Sequence, residues 1–200
     1  MSEMHEQIEH AEHGEHGAGF NKRIALLIAV LALFLSFSET LGKGAQTEVV
    51  TKNIQASDLW AFFQAKDIRR TTVNVAADQT GLLSAGVTDP AAKAAVDKQI
   101  ETWRQTAERY ESDPKAGNGR KQLEELAKDA EAERDLATAK YHHYELASAA
   151  FQIGIVLASA AVITGMVVLA WFAGALGVVG LGLLLLGLFA PHAVPLLAAL

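Results

Sequence analysis

The chain has 200 residues, half of them apolar, with 17 Lys and Arg against 23 Asp and Glu for a net charge of −6. That balance argues against a nucleic-acid partner, since phosphate binding relies on clustered Lys and Arg. With no cysteine, disulfides, thiolate nucleophiles, zinc–thiolate sites and iron–sulfur clusters are excluded.

Apolar residues pile up at the two ends of the chain, and most charges lie in the tail and the middle. This segregation predicts a membrane protein with a soluble insert. Residues 1–21 read as a polar, His- and Glu-rich tail with too little apolar surface to offset ordering, hence mobile. His10, His13 and His16 alternate with Glu6, Glu9, Glu12 and Glu15. Three imidazoles on one helical face would suit Zn, Cu or Ni, but Gly14, Gly17 and Gly19 oppose a helix, and a solvated acidic tail is the plainer reading.

Residues 22–42 form the first predicted span. Fifteen uncharged residues separate Arg23 from Glu39 within IALLIAVLALFLSFSETL, Ile24 to Leu41, and 18 residues cover roughly 27 Å of helix, close to a hydrocarbon core. Ser36-Phe37-Ser38 loosely resembles a signal-peptide cleavage site, but the acidic lead is unusual for one, so an uncleaved anchor is expected. Glu39 is the one ionisable group in question. At mid-bilayer it would mark an ion pathway. Its distance of some 24 Å from the helix start, with Lys43 four residues on, favours the far interface and an i,i+4 pair.

Residues 43–148 read as a helical extramembrane domain. Ile54, Ala61, Ile68, Val75 and Leu82 recur every seven residues, which predicts a coiled-coil seam. Asp89-Pro90 starts a second helix as N-cap and first residue. Ala92, Val96, Ile100, Trp103, Ala107 and Tyr110 give it one apolar face. Asp113-Pro114 and Gly117-Asn118-Gly119 end it, and a third helix starts near Arg120. Its seam is expected at Leu123, Leu126, Ala130, Glu133, Ala137, Lys140, Tyr144 and Ala147. Trp60, Phe62 and Phe63 cannot all face one seam, so either core packing or an oligomer interface takes them. His142 and His143, between Tyr141 and Tyr144, suit a metal or pH-sensing cluster, or lie in an aromatic membrane belt.

From Ala149 to the end there is no Lys, Arg, Asp or Glu over 52 residues, too long for one span. A hairpin over 149–190 is expected, with spans at about 149–169 and 174–189 and Trp171-Phe172 at the turn. Pro191 and Pro195 close it, leaving an apolar tail, 191–200. Gly154 with Ala158, Ala161 with Gly165, and Gly174 with Gly177 and Gly180 have the spacing that lets helices approach, within the hairpin or between subunits.

An acidic His-bearing start, "SETLGKGAQT", "NIQASDLWAFFQAKDIR" and "YHHYELASAAFQIGIVLASAAVITG" together resemble the bacterial domain-of-unknown-function family 4337, over about 20–188. The resemblance implies one N-terminal span, a helical insert and a C-terminal hairpin. It brings no activity and no functional residues. Family members often carry basic residues in the hairpin turn, where this chain has Ala170-Trp171-Phe172.

The expected fold is therefore all-α, with three transmembrane helices and a coiled-coil-like insert. No stretch is a catalytic signature or calls for a cofactor. The leading expectation is a non-enzymatic, self-associating scaffold or accessory subunit, using Ile54, Ile68, Trp60, Phe62, Phe63 and the small residues of the spans. Its partners would be the lipid bilayer, copies of itself and a larger membrane complex. The alternatives are a small channel or proton-linked transporter using Glu39, and a metal-responsive regulator using the His tail. Lys22 and Arg23 favour a cytoplasmic N-terminus in a bacterial inner membrane, with the helical domain on the opposite side.

Overall fold

A computed structural model describes residues 2–193, with side chains at 19 and from 21 onward. The imidazoles of His10, His13 and His16 and the chain from 194 on, including Pro195, lie outside the described residues. The described residues form four helices: α1 (Ser2–Ser84), α2 (Pro90–Glu111), α3 (Arg120–Thr164) and α4 (Val167–Phe189). Among the described residues there is no strand.

The helix ends follow from local chemistry. Asp89 caps α2, its carboxylate accepting from the amides of Ala91 and Ala92, with Pro90 at the first helical position. Between α2 and α3 the Gln122 side chain closes the turn: Oε1 accepts from Asp113 N at 3.1 Å and Nε2 donates to Ser112 Oγ at 3.0 Å. The helix α4 stops at Phe189, just before Pro191, in keeping with proline's bias against helical backbone at the preceding residue.

Among the described residues, three stretches are long and apolar enough to cross a membrane: within 21–84 of α1, within α3, and α4. The chain divides into two compact units, Met1–Glu48 with Asp135–Leu200, and Val49–Arg134.

In the first unit, α3 and α4 form a hairpin against the first part of α1. The hairpin turn is not at Trp171-Phe172, as expected, but at Gly165-Met166. Gly165 takes φ +70°, a left-handed conformation that side chains resist, and its amide bonds Ala161 O at 2.9 Å. Thr164 Oγ1 accepts from Met166 N at 3.3 Å. Trp171 and Phe172 instead sit in the first turns of α4 and are exposed. The hydropathy of 149–189 is nearly level, so an aromatic pair looked like a boundary where backbone chirality sets it.

One buried cluster joins Ile24, Ala158, Ala161 and Ala173; the next joins Leu31, Ala147, Phe151 and Leu184. The glycines of α4 act as sockets. A Cβ at Gly177 would lie 2.7 Å from Leu31, at Gly180 2.8 Å from Phe151, and at Gly187 2.7 Å from Tyr144. Ala173, Gly177, Gly180, Leu184 and Gly187 alternate steps of four and three, the spacing of a helix packed at a shallow angle.

In the second unit the buried positions include Ala56, Lys66, Ala77, Ala107, Leu123, Ala127 and Ala130. The face of α2 falls where expected from Val96 on, with Val96, Ile100, Trp103, Ala107 and Tyr110 inward, whereas Ala92 in the first turn is exposed. On α3 the expected seam holds at Leu123, Ala130, Ala137, Tyr144 and Ala147, all buried, and fails at Leu126 and Glu133, which are exposed, with Ala127 inward beside Leu126 and Glu133 paired at the surface with Lys52.

The heptad of α1 requires a larger correction. Ile54, Ile68, Val75 and Leu82 are 56%, 67%, 47% and 80% exposed. The inward residues in this stretch include Val49, Ala56, Phe63, Arg70, Ala77 and Ser84, also seven apart and two residues further on, with Leu59, Lys66 and Val73 beside them. Two residues are roughly 200° of helix, so the expected seam lies on the opposite face. Before this stretch the inward positions are Ile24, Leu31, Ser38 and Ala45. Both series are heptads, and a four-residue step from Ala45 to Val49 separates them.

Candidate functional site

Two polar features of the first unit and one apolar feature of the second stand out. The first is a groove of about 400 Å³ lined by Glu39, Lys43 and Gln46 of α1 and by Tyr141, Glu145 and Gln152 of α3, among others. Its floor is set by Ser38, fully buried, whose hydroxyl donates to Tyr144 O at 2.8 Å. This bond ties α1 to α3 where both carry polar residues.

Glu39 was expected to pair along its own helix with Lys43. The observed partner is on α3: Gln152 Nε2 donates to Glu39 Oε1 at 3.5 Å. Gln152 was not singled out from the sequence, yet a signal existed, for it is the only amide side chain between Ala149 and Leu200. The Tyr141 hydroxyl donates to Glu145 Oε1 at 3.4 Å, and the Glu145 charge pushes the Tyr141 phenol above its ordinary value.

The paired histidines do not converge. His142 Nδ1 stands 3.8 Å from Glu145 Oε2 at the surface. His143 is fully buried, and its Nε2 donates to Pro191 O at 3.1 Å, so the segment just past the end of α4 is tied to α3. Tyr144 belongs to the core rather than to an aromatic belt; it abuts Gly42 and Gly187, and burial raises its pKa. Among the described residues no group of three His, Asp or Glu is placed to hold a metal ion.

The aromatic trio of the second unit packs within the chain. Trp60 Nε1 donates to Glu131 Oε1 at 2.9 Å and meets Phe63 edge-on at 5.3 Å. The Arg120 guanidinium lies 5.0 Å over Phe63 and bonds Asp67. Lys66, almost buried, donates to Asn118 Oδ1 at 3.0 Å beneath Phe62 and Tyr110. Phe62 keeps 41% of its surface exposed.

The small residues also serve intrachain packing. Gly154 sits against Leu31 and the Ala173 carbonyl, Ala158 and Ala161 are core, Gly165 makes the turn, and Gly177 seats Leu31. A Cβ at Gly174 would meet nothing within 4 Å. That leaves, from the residues assigned to an interface by sequence, Ile54, Ile68, Phe62 and Gly174 turned outward.

Fold and site together define an all-α chain with three helices of membrane-spanning length and apolarity and a separate helical unit. The chain belongs to the family DUF4337, a domain of unknown function, whose model matches residues 20–190. No curated protein and no solved structure matches it.

Proposed function

We propose that this chain is a three-span bacterial inner-membrane protein that self-associates through the outer face of α1 and serves as a scaffold or accessory subunit. The membrane part of this reading is supported by the three apolar helices and by the surface of the first unit. Leu26, Leu33, Phe37, Val156, Ile163 and Val178 point outward, while glycine sockets fill the inside. A water-soluble bundle distributes these residue types the other way. Lys22 and Arg23 before the first span orient the N-terminus to the cytoplasm.

The observation that carries self-association is the outward heptad of Ile54, Ala61, Ile68, Val75 and Leu82. Four large aliphatic side chains of this seven-residue series, at 54, 68, 75 and 82, span about 42 Å of helix and stand exposed among the described residues. A seven-residue repeat matches a helix carrying the same repeat, and a second copy supplies one. Copies inserted the same way are related by rotation about the membrane normal. Their α1 helices then run parallel, and identical positions meet.

Mass measurement of the detergent-solubilised full chain tests this. The wild type is expected to contain two or more copies, and Ile54→Lys with Ile68→Lys to yield one copy with unchanged helicity. A monomeric wild type would sink the proposal.

A further inference from the structure

We propose that the groove beside Glu39 holds the headgroup of an aminophospholipid, a primary ammonium joined to a phosphodiester. The inference rests on the membrane reading above and adds a ligand to it.

The first argument is level. Glu39 is the first charge after fifteen uncharged residues of α1, and Gln152 is the only amide in the apolar C-terminal segment. These two meet at 3.5 Å, so on both helices the groove begins where the apolar surface stops. From there it rises past Lys43 and Ser148 to Gln46, Tyr141 and Glu145. A helix residue adds about 1.5 Å, so Gln152 and Tyr141 stand roughly 17 Å apart along α3, enough to cover a headgroup region.

The second argument is charge. Two carboxylates, Glu39 and Glu145, share the groove with one ammonium, Lys43. The excess of one negative charge disfavours anionic lipids. A carboxylate at the hydrocarbon edge is costly until it is neutralised or hydrogen-bonded. Each carboxylate has about four acceptor positions. Glu39 uses one on Gln152, and Glu145 uses one on Tyr141. A primary ammonium brings three donors for the remainder, and Lys43 answers the phosphate.

The third argument separates ethanolamine from choline. A quaternary ammonium has no N–H to give and is held instead by open aromatic faces. Tyr144 is 4% exposed, and the Tyr141 ring, the other aromatic in the groove lining, lies tilted against His142 with centroids 5.6 Å apart, so no pair of open rings faces the groove. The groove therefore offers carboxylate acceptors rather than a ring cage.

The test is native mass spectrometry of the full chain released from vesicles of equal parts phosphatidylethanolamine, phosphatidylcholine and phosphatidylglycerol. Retention of phosphatidylethanolamine is expected to exceed that of either other lipid by about tenfold, the factor that one charge-assisted hydrogen bond supplies. Glu39→Gln with Glu145→Gln is expected to level the three lipids, and Lys43→Gln to lower retention of all. The surface change Glu124→Gln, in the other unit, should alter nothing. Circular dichroism of each variant checks the fold, and Glu145→Gln alone gives the same reading if the double variant loses helicity. Equal retention of the three lipids by wild type overturns the assignment while leaving insertion intact. Failure to insert into vesicles of any composition overturns the membrane reading with it. Saturable binding of soluble O-phosphoethanolamine, without an excess of the lipid, assigns the groove to a water-soluble ligand and overturns the lipid source.

Discussion

Phe151 is fully buried, and its ring edge lies where a Cβ on Gly180 would be, 2.8 Å away. Gly180→Ala should therefore destabilise the first unit by about 1–3 kcal/mol, the usual cost of overpacking, with partial recovery in a Phe151→Leu background. Gly182→Ala meets nothing within 4 Å and should be silent or slightly stabilising in the same melts. Tyr144 makes a second residue-scale prediction. Burial raises its folded-state pKa above the ordinary value of about 10, so its contribution is whole below that pH and is lost as pH rises through the folded value. Melting temperature should fall above about pH 10, less steeply in Tyr144→Phe; equal slopes would contradict the burial argument. At this scale the sequence was legible in part. The distance count placed Glu39 near an edge, but its cross-helix partner Gln152 depends on how α1 and α3 are rotated, which no spacing within one helix reveals.

At the scale of elements, periodicity located the helices and misassigned a face. Both series on α1 repeat every seven residues, and the apolar one, Ile54 to Leu82, is outward. The inward one mixes Ala56, Phe63, Arg70 and Ala77, because it packs against short side chains and ion pairs such as Arg70 Nε to Glu111 Oε2 at 3.2 Å. Hydrophobicity finds a stripe but does not say what covers it. The hairpin turn was missed for a related reason, since only the positive φ of Gly165 marks it. Gly165→Ala should cost about 1–2 kcal/mol, the strain of a left-handed side chain, and Gly174→Ala should be tolerated. Thermal melts showing the reverse order would return the turn to residues 170–173.

For the whole molecule, segregation of charge from apolar residues announced two kinds of surface before any contact was known. The chain does divide into one unit bearing the apolar helices and another bearing most of the charge. Function was far less legible. Recognition sites built from helix faces, as the groove and the outer stripe are, leave no short motif in the chain. The stripe is what links this architecture to self-association, and the cysteine-free sequence makes it directly measurable. Single cysteines placed at each position from 50 to 84 and oxidised in native membranes report which residues meet their own copies. Cross-linking should peak at 54, 61, 68, 75 and 82 and fall to a minimum two residues later, at 56, 63, 70 and 77. A profile without that seven-residue period, or no cross-linking at any position, would contradict self-association through α1.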